Sequence, residues 1–378
     1  MKNSNVTNIL DKLISCKSLT PFDDNCQEYI ANFLKDLGFE IEFKKYDDVT
    51  NLIARYGSQK PVLAYVGHTD VVPTGDIEKW HSDPFKLTEK DSKLYGRGTS
   101  DMKGGIACML HSIQCLLQQN QNIVGSIVIV LTSDEEGPAV NGIKKLVESG
   151  DLSKYDIDMC IVGEPSCKKR IGDTIKNGRR GSLSGTLKIQ GIQGHIAYPQ
   201  NAKNPIHAFS STLNELISQK YDKGNKYFPP TSFQISNINS GAGATNIIPG
   251  ELTMDFNFRY STETTREELQ NKFEGIMEKS RLNYSVNWSH SGDPFLTEKK
   301  DLLNACLMSI KEELNMTAEI STDGGTSDGR FMAKICDQVI EFGLINESIH
   351  KINEHTTSAA LDDVSKVYTS MLNKLLTK

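Results

Sequence analysis

"PVLAYVGHTDVVP", residues 61–73, sets the reading of the chain. A continuous apolar run from Val62 to Val66 ends in His68, a one-residue spacer and Asp70. An unbroken apolar run of this length suits a strand buried on both faces, as in a mostly parallel sheet. Two further stretches have the same character, "GSIVIVLTS" (125–133) and "DIDMCIVG" (156–163). Between the first two lies "DMKGGIACMLHSIQCLLQQ" (101–119), whose Ile106, Met109, Leu110, Ile113, Leu116 and Leu117 keep helical spacing. Buried strands alternating with an amphipathic helix predict an α/β domain, with a mostly parallel sheet flanked by helices.

The pattern changes near residue 180. In "ELTMDFNFRY" (251–260), Leu252, Met254, Phe256, Phe258 and Tyr260 alternate with polar residues, which describes a strand with one wet face. "NPIHAFSSTLNELI" (204–217) opens with Asn as a cap and Pro at the first helical position. Buried-strand character returns in "QVIEFG" (338–343). The expected organisation is a first domain built from 1–180 and 295–378, with an α+β domain inserted as 181–294.

The whole chain excludes several classes. It has 378 residues and a net charge of -6 with no long basic run, which argues against nucleic acid as the main partner. No stretch approaches the roughly 20 apolar residues of a membrane span. The opening "MKNSNVTNILDKLISC" lacks a continuous apolar core and reads as an amphipathic helix rather than a secretory signal. The eight cysteines (16, 26, 108, 115, 160, 167, 306, 336) form no C-x-x-C pair, so reduced thiols and a cytoplasmic setting are expected.

Five places carry chemical interest. His68 and Asp70 share a strand face, so Asp70 can fix the imidazole tautomer and leave the other ring nitrogen for a metal. Asp101 follows a Gly-rich turn in "LYGRGTSDMKGG" (94–105) and precedes a helix, where an N-cap is the ordinary use of Asp. Asp134, Glu135 and Glu136 in "VLTSDEEGPA" (130–139) follow a buried strand, and Glu164 in "IVGEPS" (161–166) follows another. His350 and His355 close the series in "NESIHKINEH" (346–355). Singly, each has a structural explanation: a turn, a cap, a solvated acidic run. Together, carboxylates and one His lie at the ends of three buried strands and a helix start, with a late His available, and in an α/β sheet those ends converge on the edge where such enzymes place their sites. Mixed imidazole and carboxylate donors suit zinc or similar first-row ions, in number enough for two ions sharing a carboxylate. A remaining carboxylate can act as general base.

The ordered set H-x-D, G-R-G-x-x-D-M-K-G, S-D-E-E-G, G-E-P and a late His resembles the zinc-dependent aminoacylase/carboxypeptidase family of co-catalytic metallohydrolases over nearly the whole chain. The resemblance implies two zinc ions per chain, with cobalt as a substitute. His68 and Glu164 would hold one ion, Glu136 and His350 the other, and Asp101 would bridge them. Glu135 would be the general base and Asp70 would orient His68. The Asp101–Met102 peptide would be cis. The inserted domain would be a lid through which two chains form a homodimer, with His195 reaching the partner's site.

"WHSDPF" (80–85), "NGRRGSLSG" (177–185), "GIQGHIAYPQNAKNPIH" (191–207), "ATNIIPGEL" (244–252), "DGGTSDGRF" (323–331) and "IHKINE" (349–354) resemble one branch of that family. That branch removes succinate from an N-succinylated diamino dicarboxylic acid on the way to diaminopimelate and lysine. Arg179, Ser182, Tyr198, Asn246, Arg259, Gly325 and Thr326 would then contact the small-molecule substrate. A sister activity on the same core, such as N-acetylornithine deacetylase or a carboxypeptidase, is the alternative. Arg fits carboxylates bidentately, and Arg179, Arg180 and Arg259 supply cationic groups in an otherwise acidic chain. His355 has no ligand role in the family pattern. His81, His111, His207 and His290 read as structural or surface groups, and the Gly-rich "SGAGAT" (240–245) and "DGGTSDG" (323–329) as loops that approach a ligand closely.

Overall fold

The computed structural model describes residues 5–119, 122–241, 243–298 and 300–378. The first four residues of the N-terminal stretch and position 242 of the "SGAGAT" loop lie outside the described residues. Two compact units are present. One comprises Met1–Gly178, Leu296–Ser321 and Ser327–Lys378; the other comprises Arg179–Phe295 and Thr322–Thr326.

The first unit is built on an eight-stranded sheet. Its order is Glu40–Tyr46, Val49–Tyr56, Ser126–Thr132, Val62–His68, Met159–Val162, Val339–Glu341, Thr174–Lys176, Glu319–Ser321. The centre is parallel: Val62–His68 runs alongside both Ser126–Thr132 and Met159–Val162, and Val339–Glu341 continues the direction. The hairpin Glu40–Tyr46/Val49–Tyr56 adds an antiparallel edge. Every residue of Val62–His68 and Ser126–Thr132 is buried, as the apolar runs Val62–Val66 and Ile127–Leu131 within them demand. Helices Asn5–Ser15, Lys103–Gln118, Asp301–Leu314 and Ser358–Leu376 pack on one another and on this sheet, and their inward residues join one core.

Two features of this unit position the site. The parallel register sets His68 opposite Thr132 and Val66 opposite Val162, so the residues that follow these strands emerge along one edge. Helix Lys103–Gln118 also lies unusually close to that edge. A Cβ at Gly105 would stand 2.7 Å from the Gly163 carbonyl oxygen, so only glycine permits the approach.

The insertion leaves and returns at one point. Asn177 Nδ2 donates to the Thr297 carbonyl (2.9 Å), and the Thr297 N–H donates to the Asn177 carbonyl (2.6 Å).

The second unit carries a four-stranded antiparallel sheet, ordered Ser232–Ser240, Glu251–Tyr260, Gly181–Gln190, Asn283–Gly292. Along Glu251–Tyr260 the burial alternates residue by residue, with Leu252, Met254, Phe256, Phe258 and Tyr260 inward. That inward face meets helices Pro205–Ser218 and Arg266–Lys279; Phe256 stacks on Phe273 with ring centroids 4.6 Å apart. Asn204 caps the first helix by accepting the Ile206 N–H, and Thr265 with Glu268 forms a capping box at the second. Thr322–Thr326 belongs to this unit although it is remote in sequence, because Arg179 Nη1 donates to the Asp323 carbonyl (2.7 Å). Beside that bond, a Cβ at Gly324 would lie 2.4 Å from the same guanidinium.

Candidate metal centre

His68 ends its strand with its ring fully buried. Nδ1 stands 2.9 Å from the Asp70 carbonyl oxygen, which can only accept, so Nδ1 carries the hydrogen and Nε2 faces the site. The orienting group is thus mainly the Asp70 backbone; its carboxylate lies 3.6 Å from Nδ1. That carboxylate accepts instead the N–H groups of Glu136 (3.1 Å) and Glu135 (3.4 Å). Asp70 therefore ties the end of one strand to the acidic turn after its neighbour.

Asp101 is no helix cap. The N-cap position of Lys103–Gln118 is Met102, and no side chain caps it. The Asp101–Met102 peptide is cis. Asp101 Oδ1 lies 3.3 Å from His68 Nε2, and Oδ2 lies 3.3 Å from His350 Nε2. One carboxylate thus stands between two imidazoles. His350 Nε2 is also 2.9 Å from Glu136 Oε1, and Glu164 Oε1 is 3.9 Å from His68 Nε2.

The acidic run divides its labour. Asp134 accepts the N–H groups of Ala139, Val140 and Asn141 and so shapes the following turn. Glu135 and Glu136 enter the cluster. Donor atoms of His68, Glu135 and Glu164 lie within 4.8 Å of one another, as do those of His68, Asp101 and Glu136. These two sets cut across the pairing expected from sequence, because both contain His68 and neither contains His350. The pair distances place His350 against Glu136 and Asp101 all the same. His355 stays outside: its Nδ1 faces the Asn353 carbonyl (2.9 Å) and its ring packs on Tyr95.

The electrostatics of this group call for cations. Burial would raise Asp101, but His350 and His68 on either side hold it below the carboxylate range. His350 is pushed up to about 10 by Asp101 and Glu136. His68 is also raised, with Asp101 and further carboxylates overcoming burial. Glu135 keeps part of its surface open, yet burial, helped by Asp328 and Glu136, pushes it up to about 8. Glu164 is raised by burial and then by Asp101 and Glu135. Carboxylates in such number repel one another unless positive charge separates them.

The donors fit metal ions. His68 Nε2 and Asp101 Oδ1 are both buried without a hydrogen-bond partner. Their 3.3 Å separation matches two ligands of one tetrahedral ion whose bonds are about 2.0–2.1 Å. The Nδ1–carbonyl contact of His68 is the outer support that metal-bound histidines commonly have.

The residues expected to contact substrate all fall in the second unit. Arg179 is buried and held by the Asp323 carbonyl. Ser182 and Arg259 face each other across paired strands, and Ser182 Oγ accepts from Asn257 Nδ2 (3.1 Å). Burial and the neighbouring Arg180 hold Arg259 below its usual value. The Asn246 carbonyl accepts the Ile196 N–H beside the antiparallel pairing of Gly194–His195 with Ile247–Ile248, which pins the segment bearing His195 and Tyr198. Both of those rings are exposed, as is Gly325, whereas Thr326 is half-buried.

Three residues of the first unit escaped the reading of the sequence. Asp328 is buried with both carboxylate oxygens unpartnered, and burial raises it to about 7. Arg97 and Glu354 form a buried ion pair at 2.7 Å. Their only sequence signal is a charged residue inside "GRG" and "NEH", stretches already marked for their neighbours.

The profile of Peptidase family M20/M25/M40 matches residues 64–374. A succinyl-diaminopimelate desuccinylase of Hydrogenovibrio crunogenus is 50% identical over 375 residues, 99% of each chain. A protein of the same name from Nitrosospira multiformis is 50% identical over 364 residues, 96% of each chain. Among solved structures, a dinuclear metal binding peptidase of the M20 family from Bacillus subtilis is similar with a TM-score of 0.72. It is 17% identical, with 97% of this chain and 96% of that one covered.

Proposed function

This chain belongs to peptidase family M20/M25/M40, and on that premise we propose that it hydrolyses the amide of N-succinyl-LL-2,6-diaminoheptanedioate to succinate and LL-2,6-diaminoheptanedioate. The observation that carries the substrate is the likeness to desuccinylases at 50% identity across 99% of both chains. The cluster around Asp101 supports the chemistry. In this reading His68 and Glu164 hold one zinc ion, Glu136 and His350 the other, and Asp101 joins them. Cobalt serves as a substitute.

Bound there, such ions supply Lewis acidity, polarising the amide carbonyl and making water a stronger acid. Glu135 takes the proton of the attacking water and passes it to the nitrogen as the C–N bond breaks, so the amine leaves neutral. Asp70 keeps the Glu135 backbone and His68 in fixed relation during that transfer. Arg179 and Arg259 grip substrate carboxylates, with Ser182, Tyr198, Asn246, Gly325 and Thr326 completing the contacts. Residues 181–294 act as a lid and as the surface of a homodimer, in which His195 donates to the oxyanion formed in the partner's site. A cytoplasmic setting is supported by eight cysteines that are all free thiols.

A substrate panel tests this reading. The chelated protein should be inactive and should recover when zinc is restored. Turnover should then favour the succinylated diaminoheptanedioate over N-acetylornithine and over dipeptides. Preference for N-acetylornithine would move the assignment to the sister deacylase.

A further inference from the structure

Arg97 and Glu354 are among the most deeply buried charged groups of the first unit, and neither is a ligand in the reading above. Glu354 Oε1 accepts the N–H groups of Ser100 (2.9 Å) and Asp101 (3.0 Å). Oε2 accepts the Gly98 N–H (3.0 Å) and Arg97 Nη1 (2.7 Å). The Glu354 carbonyl also accepts the Gly96 N–H (3.1 Å). One side chain thus gathers the turn that presents Asp101. Arg97 reaches the other way: Nη1 donates to the Lys351 carbonyl and Nη2 to the Pro73 carbonyl, both at 3.2 Å. Its guanidinium lies 5.2 Å over the Trp80 ring. Lys351 directly follows His350.

We propose that the Arg97–Glu354 pair is a positioning device that holds Asp101 and His350 as one piece and thereby sets the affinity of the His350 metal position separately from that of the His68 position. The inference rests on the two-metal reading. The other ligands have their own supports. His68 is held by the Asp70 carbonyl, and its N–H faces Met102 Sδ at 3.2 Å. Glu164 follows the central strand Met159–Val162, and the Glu136 N–H is held by Asp70. The position formed by His68, Glu164 and Asp101 therefore has one ligand on the clasp. The position formed by Asp101, Glu136 and His350 has two.

The test is a titration of the chelated full-length protein with Co²⁺, followed by calorimetry and by the visible absorption of the bound ion. The parent should take up two ions. Glu354→Gln keeps the size of the side chain but sets an amide among donors, and it should weaken one of the two ions by about 10–100-fold while leaving the other near its parent affinity. Equal weakening of both ions, or no change in either, would overturn the proposal; a general loss of stability would lower the two together. A parent that binds fewer than two ions would instead overturn the two-metal reading. Should Glu354→Gln fail to fold, Arg97→Lys carries the same test, since it keeps the charge and loses the planar fork that serves three carbonyl and carboxylate acceptors.

Discussion

Glu135 is a single side chain on which two opposed demands meet. A general base must be unprotonated to act, yet in the metal-free chain burial pushes this carboxyl up from 4.5 to about 8. Its folded value is raised, so the folded chain keeps a proton that the unfolded chain releases above about pH 4.5. Stability of the metal-free protein should therefore fall as pH rises from about 4.5 to about 8. Nearby cations reverse the preference, because they favour the carboxylate. Glu135→Gln should bind both ions yet lose about 10²–10⁴-fold in turnover, the usual contribution of a positioned base. Thermal melts with chelator at pH 5.5 and 7.5 add a second check: the parent should lose stability between them, and the variant should lose less. Near-normal turnover in the variant would remove Glu135 from the base role.

Among the elements, Glu251–Tyr260 was legible in full, because a strand with one wet face writes its burial into alternate letters. The central strands were legible for the opposite reason, their interiors Val62–Val66 and Ile127–Leu131 being apolar without a break. Strands Thr174–Lys176 and Glu319–Ser321 were not, since three residues are too short to show a period. Of the candidate metal cluster, His68, Glu135, Glu136 and Glu164 end or follow strands the sequence makes readable, whereas Asp101 precedes a helix and His350 sits in a turn, positions with no period to read. The Arg97–Glu354 clasp could not be read: charged letters predict a surface position, and only the fold shows that these two bury each other. The strand pairing of Ser182 with Arg259 makes this element testable. Arg259→Lys retains the charge without the fork, and a lost charge-assisted hydrogen bond of about 1.5–3 kcal/mol amounts to about 10–100-fold in kcat/KM on the succinyl substrate. An acyl amino acid lacking the distal carboxylates should be nearly unaffected; an equal loss on both would assign Arg259 to the structure of the sheet.

At the scale of the whole molecule, the proposed dimer can be tested by complementation. His195 is exposed on the short strand Gly194–His195 of the second unit, and every proposed metal ligand belongs to the first. His195→Ala should bind metal normally and lose about 10²–10³-fold in turnover, as for a missing oxyanion donor. Co-assembled with Glu135→Gln, it should regain part of the activity, since one site of each mixed dimer then has both groups. Mixed dimers that stay inactive would confine His195 to its own chain.

The hydrogen bonds between Asn177 and Thr297 bear on how such a chain can change over time. The excursion they close folds around its own core, so to the metal-binding sheet it counts as a short staple, and the entropy of joining its two ends is borne by the excursion's internal packing rather than by the sheet. Mutations can accumulate inside the excursion's own core without altering the register that brings His68, Glu136 and Glu164 to a common edge.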